Sequence, residues 1–169
     1  MHMTAQELKR RWEAARSEPA GSARQIQAHR ELAEQCPAFV PNLLALGRSL
    51  QLDREEATEA QAQASFAEVE RVLRGAVELS GEDASALIEL AHFLDVIRDT
   101  PSEAEALFAE AARRASRLLE EAWAGWISVL GEQEKLEAAL ELANRAQRVF
   151  PDSALIAEAI AFAKQCAAP

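Results

Sequence analysis

The stretch of sequence that decides the fold covers residues 123–151 and reads WAGWISVLGEQEKLEAALELANRAQRVFP. Bulky side chains recur at helical spacing in its first part, a glycine follows, and small side chains recur at helical spacing in its second part. The bulky residues are Trp123, Trp126 and Leu130, and the small ones are Ala139, Ala143 and Ala146. The pattern predicts two antiparallel helices, with the indole rings filling the space between successive pairs and the alanines allowing close approach.

The distances within this stretch point to a repeat. Trp123 precedes Ala139 by 16 residues, Ala146 by 23 and Pro151 by 28. These distances match the tetratricopeptide repeat from its Trp position through its small residues to its Pro, so the sequence resembles that family. The unit spacing is 44 and then 36 residues, where the family uses about 34. A compact helical bundle with repeat-like pieces therefore stays open as an alternative.

The rest of the chain has the composition of a helical protein. Its 169 residues are 49% hydrophobic, much of this alanine, with only 5% aromatic residues and 12 Gly and Pro in total. Such residues lose little side-chain entropy in a helix. We predict nine helices over residues 4–17, 22–36, 40–51, one from either 54 or 65 to 80, 84–97, 102–118, 120–130, 134–149 and 153–166.

The resemblance implies an all-α fold in which antiparallel helix pairs stack as a short tetratricopeptide-like α-solenoid, closed by a C-terminal capping helix. All of it forms one domain. Its expected parts are a divergent helix pair at 1–36, a unit with an extended inter-helix segment at 37–81, units at 82–119 and 120–152, and the capping helix at 153–169. The uncertain segment is 52–64, where Asp53 and Ser65 both have the pattern of a helix N-cap.

Charge and cysteine usage exclude several classes of partner. The formal net charge of -10 repels a phosphate backbone, so we expect neither nucleic acid nor an anionic membrane as partner. A charged N-terminal segment and the lack of a long apolar stretch predict a cytoplasmic protein. The two cysteines, Cys36 and Cys166, are expected to be reduced thiols. His29 and Cys36 are expected to lie on one helix face, with His29 at the rim of the core and Cys36 inside the core.

The inventory of catalytic groups is thin. The sequence has no Gly-rich phosphate loop, no paired Cys motif and no tyrosine, so we predict no enzyme activity and no cofactor. The best local cluster is Glu89, His92 and Asp95, whose spacing places them on one helix face. A helix-bundle di-metal site needs a second Glu-x-x-His motif, which is missing. We therefore do not expect a metal site there. We expect a helix face that is either solvated or used for binding.

The resemblance implies that the concave side of the stacked pairs is the ligand groove. Residues offset from the packed helix faces are then the candidate partner-binding residues. They are Leu44, Arg48, Gln51, Ser85, Ile88, Glu89, His92, Asp95, Glu121, Ser128, Glu158 and Phe162, with Ala124 and Gly125 beside them.

These residues form a mildly acidic surface with apolar spots. Such a surface suits a basic or amphipathic protein or peptide partner. Leu44, Ile88 and Phe162 are the expected anchors. The expected function is thus a non-enzymatic adaptor, scaffold or chaperone. The alternative is a structural, self-associating subunit whose pair around Trp12 completes its core against another copy.

Overall fold

The computed structural model describes residues 3–52 and 58–167, and every regular element in those ranges is an α-helix. The predicted all-α class is confirmed, and the described residues form eight helices where nine were expected. The helices are α1 (Ala5–Ser17), α2 (Ala23–Gln35), α3 (Val40–Gln51), α4 (Glu59–Leu79), α5 (Ala84–Val96), α6 (Pro101–Glu132), α7 (Leu136–Val149) and α8 (Ala154–Cys166).

Local capping fixes where α4 begins. The Thr58 side chain accepts a hydrogen bond from the backbone N–H of Gln61, and the Gln61 side chain accepts one from the backbone N–H of Thr58. This reciprocal capping box satisfies two donors of the first turn. The predicted cap at Ser65 is wrong, because Ser65 lies inside α4. The predicted cap at Asp53 lies outside the described residues.

The chain divides into two compact units, Met1–Ala111 and Ala112–Pro169. In the first unit, each of the helices α1 to α4 packs against the next one along the chain. A Cβ atom at Gly47 of α3 would lie 2.7 Å from Cδ2 of Leu73 of α4. The prediction that the helices of a pair touch at Gly47 is therefore confirmed. The core of this unit includes Leu73, Phe93 and Leu94, which are fully buried.

The second unit contains the C-terminal part of α6 together with α7 and α8. The three alanines that were predicted to allow close helix approach are all buried in its core: Ala139, Ala143 and Ala146. The Trp123 ring meets the Phe150 ring edge-on at 5.9 Å between centroids. A Cβ atom at Gly131 would lie 2.5 Å from the Cα atom of Ala163, so this glycine allows α6 and α8 to approach closely.

The predicted break between helices 102–118 and 120–130 is wrong, because α6 runs without interruption from Pro101 to Glu132. The residues around the expected turn read ASRLLEEA over 115–122. They include neither Gly nor Pro, and most are strong helix formers. Nothing in the local sequence therefore ends the helix there, and the repeat spacing alone suggested a turn.

The prediction that Trp126 fills the space between helix pairs is also wrong. Its side chain is 54% exposed, whereas Trp123 is partly buried against the core of the second unit. The buried residues of this part of α6 are Ala124 and Ile127. Trp126 therefore lies outside the face of α6 that packs into the core.

The expected roles of His29 and Cys36 are reversed. His29 is fully buried, and its Nδ1 lies 2.7 Å from Oδ1 of Asn42, which is also buried. Nδ2 of Asn42 donates to the backbone carbonyl of His29 at 2.9 Å. This reciprocal pair joins α2 to α3 and satisfies both side chains, so the imidazole lies in the core. Cys36 caps the end of α2 and is partly exposed.

Candidate functional site

Groove 1 is a concavity of the first unit with a volume of about 640 Å³. Residues of α1 and α3 form two of its walls, and the turn that leads into α5 forms the third. Its lining consists of Trp12, Arg16, Val40, Pro41, Leu44, Ala45, Arg48, Ser80, Asp83 and Ser85. Leu44, Arg48 and Ser85 of the predicted set are thus brought together.

The aromatic wall of groove 1 comes from α1, which the sequence reasoning missed. Trp12 packs edge-on against Phe39 at 5.6 Å between ring centroids, and the Arg16 guanidinium lies 4.8 Å from the centroid of the Trp12 ring. Stacking of this kind fixes both side chains. In the described part of the chain, the buried Nε1 of Trp12 has no hydrogen-bond acceptor. Trp12 and Arg16 are spaced i, i+4, and this spacing was the signal in the sequence that could have indicated their contact.

The charged side chains of groove 1 interact with other groups of the same chain. Nε of Arg48 donates to Oε1 of Glu89 at 2.8 Å, which links α3 to α5. Asp83 caps α5. Hydrogen bonds from the hydroxyl and the backbone N–H of Ser85 hold the pKa of Asp83 below its ordinary value. A charged partner would therefore have to compete with bonds that already exist.

The other predicted residues of the first unit do not line groove 1. Gln51 is half-buried, and its Nε2 donates to the carbonyl of Gly47 in its own helix. Ile88 and Asp95 are exposed on α5. His92 packs edge-on against Phe108 at 4.9 Å between ring centroids. Leu44 does line the groove, but it is only 6% exposed and belongs to the core, so little of its side chain is available to a partner.

Groove 2 is a concavity of the second unit between α6 and α8, with a volume of about 400 Å³. It contains all four residues that the sequence analysis predicted for this part of the chain. Its lining consists of Glu121, Ala124, Gly125, Ser128, Leu155, Glu158, Ala159 and Phe162. The sequence pattern assigns these residues to the concave side of the stacked helix pairs and the capping helix.

Apolar side chains and carboxylates alternate around groove 2. Leu155 and Phe162 are each 40% exposed, and the residues between the walls are small. Glu121 and Glu158 are exposed on opposite helices, and neither makes an ion pair with another described residue. Ser128 donates its hydroxyl to the carbonyl of Ala124. Groove 2 can therefore accept a side chain that has an apolar stem and a cationic end.

The cluster of Glu89, His92 and Asp95 is divided among different contacts. Glu89 is paired with Arg48, and His92 contacts Phe108. Within residues 3–52 and 58–167, no group of three His, Cys, Asp or Glu side chains could hold a metal ion. None of the helices described in those ranges is long and apolar enough to cross a membrane.

Comparison with known proteins identifies the family. The model of the Myxococcota tetratricopeptide repeat protein family matches residues 1–81, a range that includes the helix pair expected to be divergent. A Myxococcus xanthus protein described as "Uncharacterized 18.1 kDa protein in carS 3'region" is 49% identical over 163 residues, which cover 96% of this chain and 95% of that protein. No solved structure matches. The chain therefore belongs to the Myxococcota tetratricopeptide repeat protein family.

Proposed function

We propose that the protein is a non-enzymatic adaptor or chaperone that binds a basic or amphipathic segment of a partner protein. Membership of a tetratricopeptide repeat family supports a helical repeat module for protein interaction. Groove 2 carries the proposal furthest, because two exposed apolar side chains lie beside two carboxylates that have no ion-pair partner among the described residues. The expectation of a cytoplasmic protein stays a prediction.

Groove 2 favours one particular kind of contact. The stem of a lysine or arginine would pack on Phe162 and Leu155, while its cationic end would lie between Glu121 and Glu158. Such a contact combines apolar burial with opposite charge. An acidic segment would be repelled by the two carboxylates and by the net charge of -10.

Groove 1 would contribute shape and aromatic contact. Its cations are held by Glu89 and by the Trp12 ring, so it adds little net charge for a partner to recognise. We expect apolar residues of a partner to pack on Trp12 and Val40.

The self-associating alternative receives no support at Trp12. This side chain contacts Phe39 and Arg16 of its own chain, so the first helix pair has neighbours within its own unit. The non-enzymatic adaptor is thus the function that the geometry supports best.

The test uses a fluorescein-labelled amphipathic peptide rich in Lys and Leu, with a Glu and Leu peptide of the same pattern as the comparison. Fluorescence anisotropy is expected to show binding of the Lys peptide only, and the binding weakens as salt rises. Glu158→Lys should weaken it by about 10-fold, equivalent to about 1.4 kcal/mol. The control is Glu141→Lys on the exposed face of α7. Equal binding of both peptides, or equal effects of both substitutions, would contradict the proposal.

A further inference from the structure

The C-terminal half of α6 carries apolar side chains on two opposite faces. Ala124, Ile127 and Gly131 form the face that is buried in the core of the second unit. A second row, here called the outer stripe, is exposed along its whole length. The outer stripe consists of Ala115, Leu119, Ala122, Trp126 and Val129.

The outer stripe is turned away from the core by helix geometry. Each residue turns the helix by about 100°, so Trp126 lies about 160° around the axis from Ala124. Leu119 is 41% exposed, Trp126 is 54% exposed and Val129 is 46% exposed, and Leu118 is exposed beside them. A helix that is apolar on both faces is normally buried on both, and a contiguous exposed apolar row of this kind marks an interaction surface.

The spacing of the outer stripe is that of a helix-helix seam. Its successive members are separated by four, three, four and three residues, which is the heptad pattern of helices that pack side by side. Because α6 continues through residue 119 without a break, the stripe runs along one helix for about 21 Å. Another helix with the same heptad pattern fits such a seam, and a second α6 has it over the same length.

The charges at the two ends of the outer stripe are opposite. Arg114 flanks its N-terminal end and Glu132 flanks its C-terminal end, both on the same side of α6 and each about 100° around the axis from the centre of the stripe. An antiparallel pair of α6 helices places the arginine end of one copy beside the glutamate end of the other, whereas a parallel pair places like charges together. This complementarity matters because each copy carries a net charge of -10, which otherwise opposes association.

We propose that the outer stripe is the interface of a two-fold symmetric dimer in which the α6 helices of two copies pack antiparallel. In such an interface the same patch of both copies meets itself. The patch is small compared with the roughly 20–30 residues per partner of a standard interface, so the dimer is weak, with a dissociation constant on the order of 1–100 µM. This interface is separate from the proposed contacts in groove 2, and it does not depend on them.

Sedimentation equilibrium of the full chain between about 1 and 500 µM brackets this affinity. The average mass should rise from 18.5 kDa toward twice that value. Val129→Glu should raise the dissociation constant by at least about 10-fold. Val149→Glu is the matched control, because Val149 is 54% exposed on α7, away from the stripe; this variant should dimerise like the unaltered protein. Helical circular dichroism checks that both variants are folded.

The outcomes that overturn the dimer are distinct. A monomer at every concentration rejects a second copy as the occupant and leaves another protein, or the rest of the same chain, to cover the stripe. A dimer that Val129→Glu and Val149→Glu weaken equally rejects the stripe as the interface.

The orientation has its own test. Glu132→Arg should weaken the dimer, and adding Arg114→Glu in the same chain should restore it, because both ends then carry the reversed charge. A dimer that neither change affects overturns the antiparallel arrangement.

Discussion

The two units hold their polar and charged side chains in different ways. In the first unit, His29 pairs with Asn42, Arg48 pairs with Glu89, and the Arg98 guanidinium pairs with Glu70. In the second unit, the core consists of alanine, leucine and isoleucine side chains, and the carboxylates of groove 2 have no ion-pair partner in the described chain. The first unit therefore adds specific polar contacts to its apolar core, whereas the second leaves charge and apolar surface available to a partner.

The largest expected effect concerns the buried pair of the first unit. His29→Ala leaves Asn42 buried without its partner and opens a cavity beside it, so the free energy of unfolding should fall by about 3 kcal/mol. Urea denaturation followed by circular dichroism measures this change. The control, His92→Ala, removes an exposed ring and should cost at most about 0.5 kcal/mol. Equal losses would show that the two histidines do not differ in the way their burial indicates.

Next in size is the close approach of α6 and α8 in the second unit. Gly131→Ala places a Cβ atom against the Ala163 backbone, so we expect a loss of about 1–3 kcal/mol in the free energy of unfolding. Gly125 lies in the same helix, and a Cβ atom there has no neighbour within 4 Å. Gly125→Ala should instead stabilise the protein by about 0.5–1 kcal/mol, because alanine loses less backbone entropy. Thermal melts of both variants in parallel check the opposite signs.

The smallest expected effect is a dependence on pH in the first unit. Burial tends to raise the pKa of Glu70, but hydrogen bonds from Arg74 and Arg98 outweigh it and hold the pKa below the ordinary 4.5. A carboxyl with a lowered pKa in the folded state contributes stability above pH 4.5, and this contribution is lost as the pH falls through the folded pKa.

Glu70→Gln should therefore reduce stability at pH 7 by less than about 1 kcal/mol, since the ion pairs are partly exposed, and should change it little at pH 3. Urea denaturation at both pH values measures the difference. The control is Glu78→Gln on the exposed end of the same helix. A Glu70→Gln loss that is as large at pH 3 as at pH 7 would assign the effect to packing instead of charge.

Much of the fold followed from spacing along the sequence. The contact at Gly47 and the buried alanines at 139, 143 and 146 were predicted because a helix places such residues on one face. The same register brought Glu121, Ser128, Glu158 and Phe162 into one prediction, and the structure places all four in groove 2.

What failed depended on contacts between helices or on the absence of a signal. His29 of α2 pairs with Asn42 of α3, and nothing in the local sequence of α2 indicates a hydrogen-bond partner in α3. The break in α6 was inferred from the repeat period, although no Gly or Pro supported it. Trp12 and Arg16 were missed as groove residues because α1 lacks the repeat motif that assigned the other helices.

The three tryptophans differ in their surroundings, and the chain contains no tyrosine. Ultraviolet excitation near 280 nm thus reaches almost only indole rings. Trp12 borders groove 1, Trp123 is packed against Phe150, and Trp126 is exposed to water. Replacing any two of them by phenylalanine would leave one intrinsic fluorophore, so emission wavelength and quenching could follow a groove, a core and an outer surface separately without an attached dye.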